Sequence, residues 1–358
     1  MTEPADQLAD AWREFCQRLE GLGGLMLREA TPRNEIDQAE GYRFLCRLLR
    51  SGLEQGFEFA KEPGVAFREK DRYLHVGFTS PDQDPLTCNI DPSKDYRITG
   101  VRGTNAGLGI LAMAPTTMQH VGWLNHGDLE ITEDGTFEII ASQRKHSGNW
   151  LQLSEHSSLL VIRCNFNDRA KETRAQFAIE EIPTAATQRQ PVTADAVIRG
   201  LRTALLGATV MSGRMVEWAE ELVAKPNQIG VLESYTRSSG SPDHNFRFGY
   251  FDIPMGQALE VRFTPPECDN WQFQIGNWWV ENLDNYADDQ GWINKARARL
   301  DNDGGVTIVA SPEEQIATNW VDTFGRRTGI MGLRIIRGTV SPPVSVRLIP
   351  TLMERGDG

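Results

Sequence analysis

Hydrophobic positions change rhythm three times along this chain. Over the first stretch they recur at helical spacing, as Leu8, Ala11, Trp12, Phe15 and Leu19. Gly21, Gly23 and Gly24 end that helix. Asn34 is an N-cap for a second one, with Asp37 in its first turn. Its apolar stripe is predicted to run Tyr42, Leu45, Leu49, Leu53 and Phe57. From about residue 64 the pattern becomes short β-branched and aromatic runs between turn-forming clusters. "YRITGV", "GTFEIIAS", "SLLVIRCNF" and "QFAIEEI" read as strands, and "SPDQDP" (80–85) and "DPSKD" (91–95) as turns. "GLGILAMAP" carries glycines without a strand-to-helix context, and its leading "NAGLG" reads as a turn.

Residues 193–224 return to helix. Thr193 is the N-cap, and Val197, Leu201, Leu205, Ala208, Met211, Met215, Trp218 and Leu222 make one apolar face. Pro226 ends it. Strand patterning then resumes in "FRFGYFDI", "ALEVRFT", "WQFQIGNWWV", "GVTIVAS", "MGLRIIRG" and "VSVRLI". Frequent turns between short strands predict sandwiches, not a parallel α/β sheet. The domain reading is an N-terminal helical segment (1–62), a first β-sandwich unit (63–188), a linking helix (192–226) and a second β-sandwich unit (230–352). The class is mainly β, α+β overall.

The two β units echo one another. "DGTFEIIAS" (134–142) and "DGGVTIVAS" (303–311) agree at five of nine positions. Asn149-Trp150 follows the first serine by seven residues, and Asn319-Trp320 the second by eight. Arg163 and Arg334 come 13 and 14 positions after their tryptophans. The pattern points to a duplicated module. In it the Asn would hold a loop through backbone hydrogen bonds, and the Trp would plug the core.

These stretches also carry a family likeness. "DPSKDYRITGVRG", "GNWLQL", "SLLVIRCNFND" and above all "TNWVDTFGRRTGIMGLRIIR" resemble the bacterial family called domain of unknown function 1214. The closest matching positions are Asn319, Trp320, Asp322, Gly325, Arg326, Arg327 and Gly329. The resemblance implies a β-rich, jelly-roll-like architecture and brings no catalytic residues with it. Relatives often join the module to a different N-terminal partner, where this chain has helices and a further β unit.

Composition narrows the chemistry. A net charge of −12 argues against nucleic acid and anionic membrane as partners. Five widely spaced cysteines, with no Cys-x-x-Cys, argue against a disulfide framework or zinc site and fit a cytoplasmic protein. The N-terminus lacks the apolar core of a signal peptide, and no run reaches membrane-spanning length. His120 and His126, with Asp128 nearby, could share a strand face as metal ligands, although hydrogen-bonded histidines near a turn are the stronger expectation. A Gly-x-Ser-x-Gly elbow, a P-loop and a dinucleotide fingerprint are all absent, so no cofactor is expected. Arg163, Asp168, Arg169 and Glu172 read as surface ion pairs.

The densest unusual stretch is "NWQFQIGNWWVENLDNYADDQGW" (270–292). Flat apolar rings beside amides and carboxylates suit a lipid, steroid, terpenoid or sugar-like ligand. Trp278 and Trp279 are adjacent, so in an extended strand they would face opposite ways and one would leave the core. The expected function is small-molecule binding in a cleft of the second unit, lined by Trp278, Trp279, Asn282 and Asn319, with Arg326 and Arg327 holding an anionic group. Any chemistry would be a metal-independent lyase, isomerase or hydrolase step, with Glu281, Asp284, Tyr286 or Asp322 carrying protons. The rival is a non-catalytic scaffold whose exposed aromatics form a protein–protein or homodimer interface.

Overall fold

A computed structural model of the chain describes residues 3–58, 66–69, 77–114, 119–183, 191–237, 244–284 and 290–351. Two helices come first, α1 (Pro4–Leu22) and α2 (Glu35–Leu53). As the sequence predicts, Asn34 caps α2, its side-chain oxygen accepting from the Asp37 N–H at 2.9 Å. The long helix α3 (Ala194–Val223) starts at Thr193, whose hydroxyl accepts from the Ala196 N–H. Its predicted apolar face is the buried one.

The first unit holds β1 (Arg68–Glu69), β2 (Gln83–Asn89), β3 (Asp95–Val101), β4 (Gly107–Ala114), β5 (Gln119–Asn125), β6 (Thr136–Ser142), β7 (Trp150–Gln152), β8 (Leu159–Asn165) and β9 (Gln176–Ile182). The second holds β10 (Gln228–Gly230), β11 (His244–Asp252), β12 (Gln257–Phe263), β13 (Asn270–Gly276), β14 (Trp292–Asn294), β15 (Val306–Ser311), β16 (Trp320–Asp322), β17 (Thr328–Ile336) and β18 (Ser345–Pro350). Each unit is one five-stranded and one four-stranded sheet. The orders are β1-β2-β8-β4-β5 with β7-β6-β3-β9, and β10-β11-β17-β13-β14 with β16-β15-β12-β18. Strand for strand the two orders are the same. Even the parallel pair recurs, as β6 with β7 and β15 with β16. Each unit has its own apolar core, built around Ile98, Ile139 and Ile162 in the first and Leu259, Phe273 and Leu333 in the second.

The repeated Asn-Trp now has a physical account. Asn149 donates to the carbonyls of Glu130 and Glu138, both at 2.9 Å, and accepts from the Glu130 N–H. Asn319 donates to the carbonyls of Arg299 and Thr307, both at 2.9 Å, and accepts from the Arg299 N–H. Each asparagine ties an incoming loop to a strand edge through the same three bonds. The tryptophans differ from expectation. Trp150 and Trp320 are only partly buried, and their indole N–H groups bond to Ser142 and Ser311, the serines of the repeat. The following residues, Leu151 and Val321, fill the cores instead. Gly135 and Gly304 share a positive φ, 84° and 79°, which suits glycine in both turns.

Other expectations shift. Trp12 and Tyr42 lie more than half exposed, and α2 buries Gly41, Phe44, Leu48 and Gly52, one position round from the predicted stripe. Residues 107–114 are a fully buried central strand, not a turn and loop. Gln83, Asp84 and Pro85 of the predicted 80–85 turn lie in β2. β10 begins two residues before the expected boundary of the second unit.

Candidate functional site

Trp278 and Trp279 are not on an extended strand. β13 ends at Gly276, and the chain turns through 277–280, closed by the Val280 N–H to Asn277 carbonyl bond. Both rings are therefore buried together, T-shaped at 4.7 Å between centroids. What covers Trp279 is α2. The Trp279 indole N–H donates to the Asp37 carbonyl at 2.7 Å, and its ring stacks on Phe44 at 5.7 Å. Gly41 is the contact point: a Cβ there would meet Trp279 at 2.4 Å. Among the described residues both rings are closed off from solvent.

The charged groups predicted for the cleft frame the same contact. Arg326 pairs with Asp37 at 2.7 Å and also with Glu40. Glu281, fully buried, pairs with Arg47 at 3.0 Å. Asp284 pairs with Arg43 at 2.8 Å. Residues 37, 40, 43 and 47 stand three and four apart, on one side of a helix. So Glu281, Asp284 and Arg326 do converge, but their partners are the charges of α2. Burial pushes the Glu281 carboxyl up, against the pull of the Arg47 charge and hydrogen bond and the Asn277 amide.

The remaining predicted residues lie apart from this contact. Arg327 pairs with Glu313 and reaches the Pro254 carbonyl. Asp322 accepts from the Phe324 N–H at 2.8 Å, pinning a turn. Asn319 is the loop tie described above. Tyr286 lies outside the described residues. Asn282 donates to Thr79 and accepts from Gln274, so it links the two β units. Among the described residues, hollows elsewhere include a notch of about 20 Å³ between α1 and α3 at Phe15 and Leu201, and an open groove at Arg28 and Glu220.

Sequence reading missed the junction between the units. β13 alternates: Trp271, Phe273 and Ile275 enter the core of the second unit, and Asn270, Gln272 and Gln274 point the other way. That polar face is buried too, against residues 78–82 and the turn after β8. Ser80 donates to Gln272 at 2.6 Å, and Gln274 reaches the Thr79 carbonyl. Arg334 donates to the Phe78 carbonyl at 3.0 Å and lies over the Phe246 ring. Asp82, 2% exposed, accepts from Asn294 at 2.9 Å and Asn270 at 3.4 Å. Burial raises the Asp82 carboxyl to about 7, although Asn294, Asn270, Arg169 and Arg334 all pull it down. Arg169 is not a surface residue in effect: it bonds the Pro81 carbonyl and Asp84.

Arg163 and Arg334 occupy matching positions. Arg163 on β8 faces Gly109 of β4, and Arg334 on β17 faces Gln272 of β13. Both bear on His244, which burial holds well below the usual histidine range, helped by these two positive charges. His126 stands beside Arg337, 3.0 Å away, and Asp269, 3.9 Å away. Among the described residues no three His, Cys, Asp or Glu side chains group to hold a metal ion, and no helix is long and apolar enough to cross a membrane.

The chain is similar over its whole length to an uncharacterized protein from Burkholderia cenocepacia. The solved structure of that protein matches with a TM-score of 0.91 at 29% identity, over 97% of this chain and 99% of the other. A protein from Vibrio parahaemolyticus matches at 12% identity and a TM-score of 0.48, over 85% of this chain and 98% of the other. A scan against protein-family models finds no match, and neither does a search of curated proteins.

Proposed function

We propose that this is a non-catalytic interaction scaffold in which the aromatic groove of the second unit recognises a helix, the chain's own α2. One observation carries the reading. The Trp279 indole N–H, the flat ring beneath Gly41, and the ion pairs of Arg326, Glu281 and Asp284 all engage α2. These are the elements expected to hold a small ligand, and here they hold a helix. Two of the groups expected to carry protons, Glu281 and Asp284, are engaged in fastening two parts of the fold. The helical layer then offers Trp12, Ile36, Tyr42 and Leu206, each more than half exposed, to a protein partner. A second copy of the chain is the first partner to test.

The same strand order in both units supports an origin by duplication, and residues 319–329 support kinship with the domain of unknown function 1214 family in a cytoplasmic bacterial protein. The test is native against denatured mass on purified full-length protein, with a concentration series by sedimentation. The expected outcome is a chain without an adduct that self-associates, and loses this on Trp12→Ser with Tyr42→Ser. A small molecule of defined mass, retained in the native state and released on unfolding, would restore the ligand-binding reading and overturn this one.

A further inference from the structure

Asp82 belongs to the first unit by sequence and to the second by its contacts. Its backbone carbonyl accepts from the Phe166 N–H of the first unit at 2.8 Å. Its carboxyl accepts from Asn294 of β14 at 2.9 Å, and the Asn270 amide nitrogen of β13 lies 3.4 Å away, its two N–H groups better placed for other acceptors. The same two amides reach back across the junction: Asn270 donates to the Phe166 carbonyl and to the Asn167 side chain, and Asn294 to the Asn167 carbonyl. Asn167 closes the ring by donating to the Asp269 carbonyl. The junction is thus a closed circuit of amides around one carboxyl.

Two features set this carboxyl apart. It makes no ion pair among the described residues. The cations that face it are engaged elsewhere: Arg169 with Asp84 and the Pro81 carbonyl, Arg334 with Gln272 and the Phe78 carbonyl. Second, the side-chain oxygen of Asn270, on the amide whose nitrogen lies 3.4 Å from the carboxyl, is buried and lacks a donor among the described residues. An ionised Asp82 offers it nothing, whereas a protonated one brings an O–H to that corner. A buried carboxylate without a cation is costly, and an orphan acceptor beside it adds to the cost.

We propose that the junction is a proton-operated latch, in which the two β units close over Asp82 in its protonated form, and ionisation of this buried carboxyl, which has no cation of its own, loosens them. The raised value of Asp82 puts the change near neutral pH. The groups bearing on it are Ser80 and Asp84 from its own segment, Asn167 and Arg169 from the turn after β8, Asn270 and Asn294, and Arg334 from β17. The proposal is independent of whether α2 or a small molecule is what the aromatic stretch recognises.

Hydrogen–deuterium exchange on the full chain tests it, at pH values on both sides of neutral and corrected for intrinsic rates. Peptides covering 166–169, 270–276 and 292–294 should exchange about tenfold faster on the alkaline side, the equivalent of one pKa unit of proton linkage. The cores around Ile98 and Leu259 should not change. In Asp82→Asn, which keeps a hydrogen-bond donor at all pH, the junction peptides should stay protected throughout. Wild-type peptides that ignore pH, or a pH response that survives in Asp82→Asn, would overturn the latch. Should that variant not fold, side-chain carboxyl NMR on the wild type decides: one buried aspartate titrating near neutrality supports the latch, and all aspartates titrating in the ordinary range sinks it.

Discussion

The indole N–H of Trp279 donates to the carbonyl of Asp37 at 2.7 Å, joining residues 242 positions apart. That bond lies at the centre of the contact between α2 and the second unit. Gly41 sits against the ring, so a methyl group there must displace both Trp279 and Met26. Gly41→Ala should destabilise the chain by about 1–3 kcal/mol, the usual cost of overpacking. Trp279→Ala should cost about 3–5 kcal/mol through the void it leaves. Denaturant midpoints of both variants check this; a neutral Gly41→Ala would mean α2 is not seated on the ring.

The ion pairs around that ring should not be equal. Arg326 and Asp37 are both nearly buried, so Arg326→Ala strands a carboxylate and should cost about 3–5 kcal/mol. Adding Asp37→Asn should return part of that loss. Arg43 and Asp284 are each more than a third exposed, and Arg43→Ala should cost less than about 1 kcal/mol. Equal losses from the two arginine variants would contradict the burial that separates them.

The two asparagine ties make the same bonds in different surroundings. Asn319 is buried, and Asn149 is half-buried with water within reach of its loop. Both alanine variants should destabilise. Asn319→Ala should do so more, by about 1–3 kcal/mol for each buried group left unpaired. Thermal unfolding of the two single variants gives the comparison, and a larger loss at Asn149 would reverse the argument.

Glu281 should leave a mark on the pH dependence of stability. Its folded value is raised by burial, so the folded state holds the proton more tightly than the unfolded chain. Its contribution is then full in acid and is lost as pH rises from the ordinary glutamate range through the raised value. Glu281→Gln keeps an oxygen for Arg47 and removes that loss. Its stability should fall less steeply than the wild type's over the same window. Parallel curves for the two proteins would place the pH dependence elsewhere, with Asp82 the next group to examine.

Much of the architecture was legible because it is local. Asn34 and Thr193 announced their helices through the chemistry of caps, and α3 showed its buried face through unbroken helical periodicity. The likeness of 134–142 to 303–311 located equivalent turns and strands, since both stretches satisfy the same backbone geometry. Arg163 and Arg334, matched by spacing alone, proved to share one register position.

What the sequence could not decide was which polar faces stay wet. The alternation of "NWQFQIG" determines that Trp271, Phe273 and Ile275 share a face, and it determines nothing about what lies over Asn270, Gln272 and Gln274. Asp82 sat in a stretch rich in turn residues, where an aspartate is ordinarily solvated. Only the approach of the two units removed its water and raised its proton affinity. Trp279 is the same lesson in reverse. The sequence set it beside Trp278 on what read as an extended strand; the tertiary structure turns the chain there and lays α2 over the ring, where charges at 37, 40, 43 and 47 meet Arg326, Glu281 and Asp284 only once the chain has folded. Periodicity is a property of neighbouring residues, and burial is a property of whatever distant segment arrives.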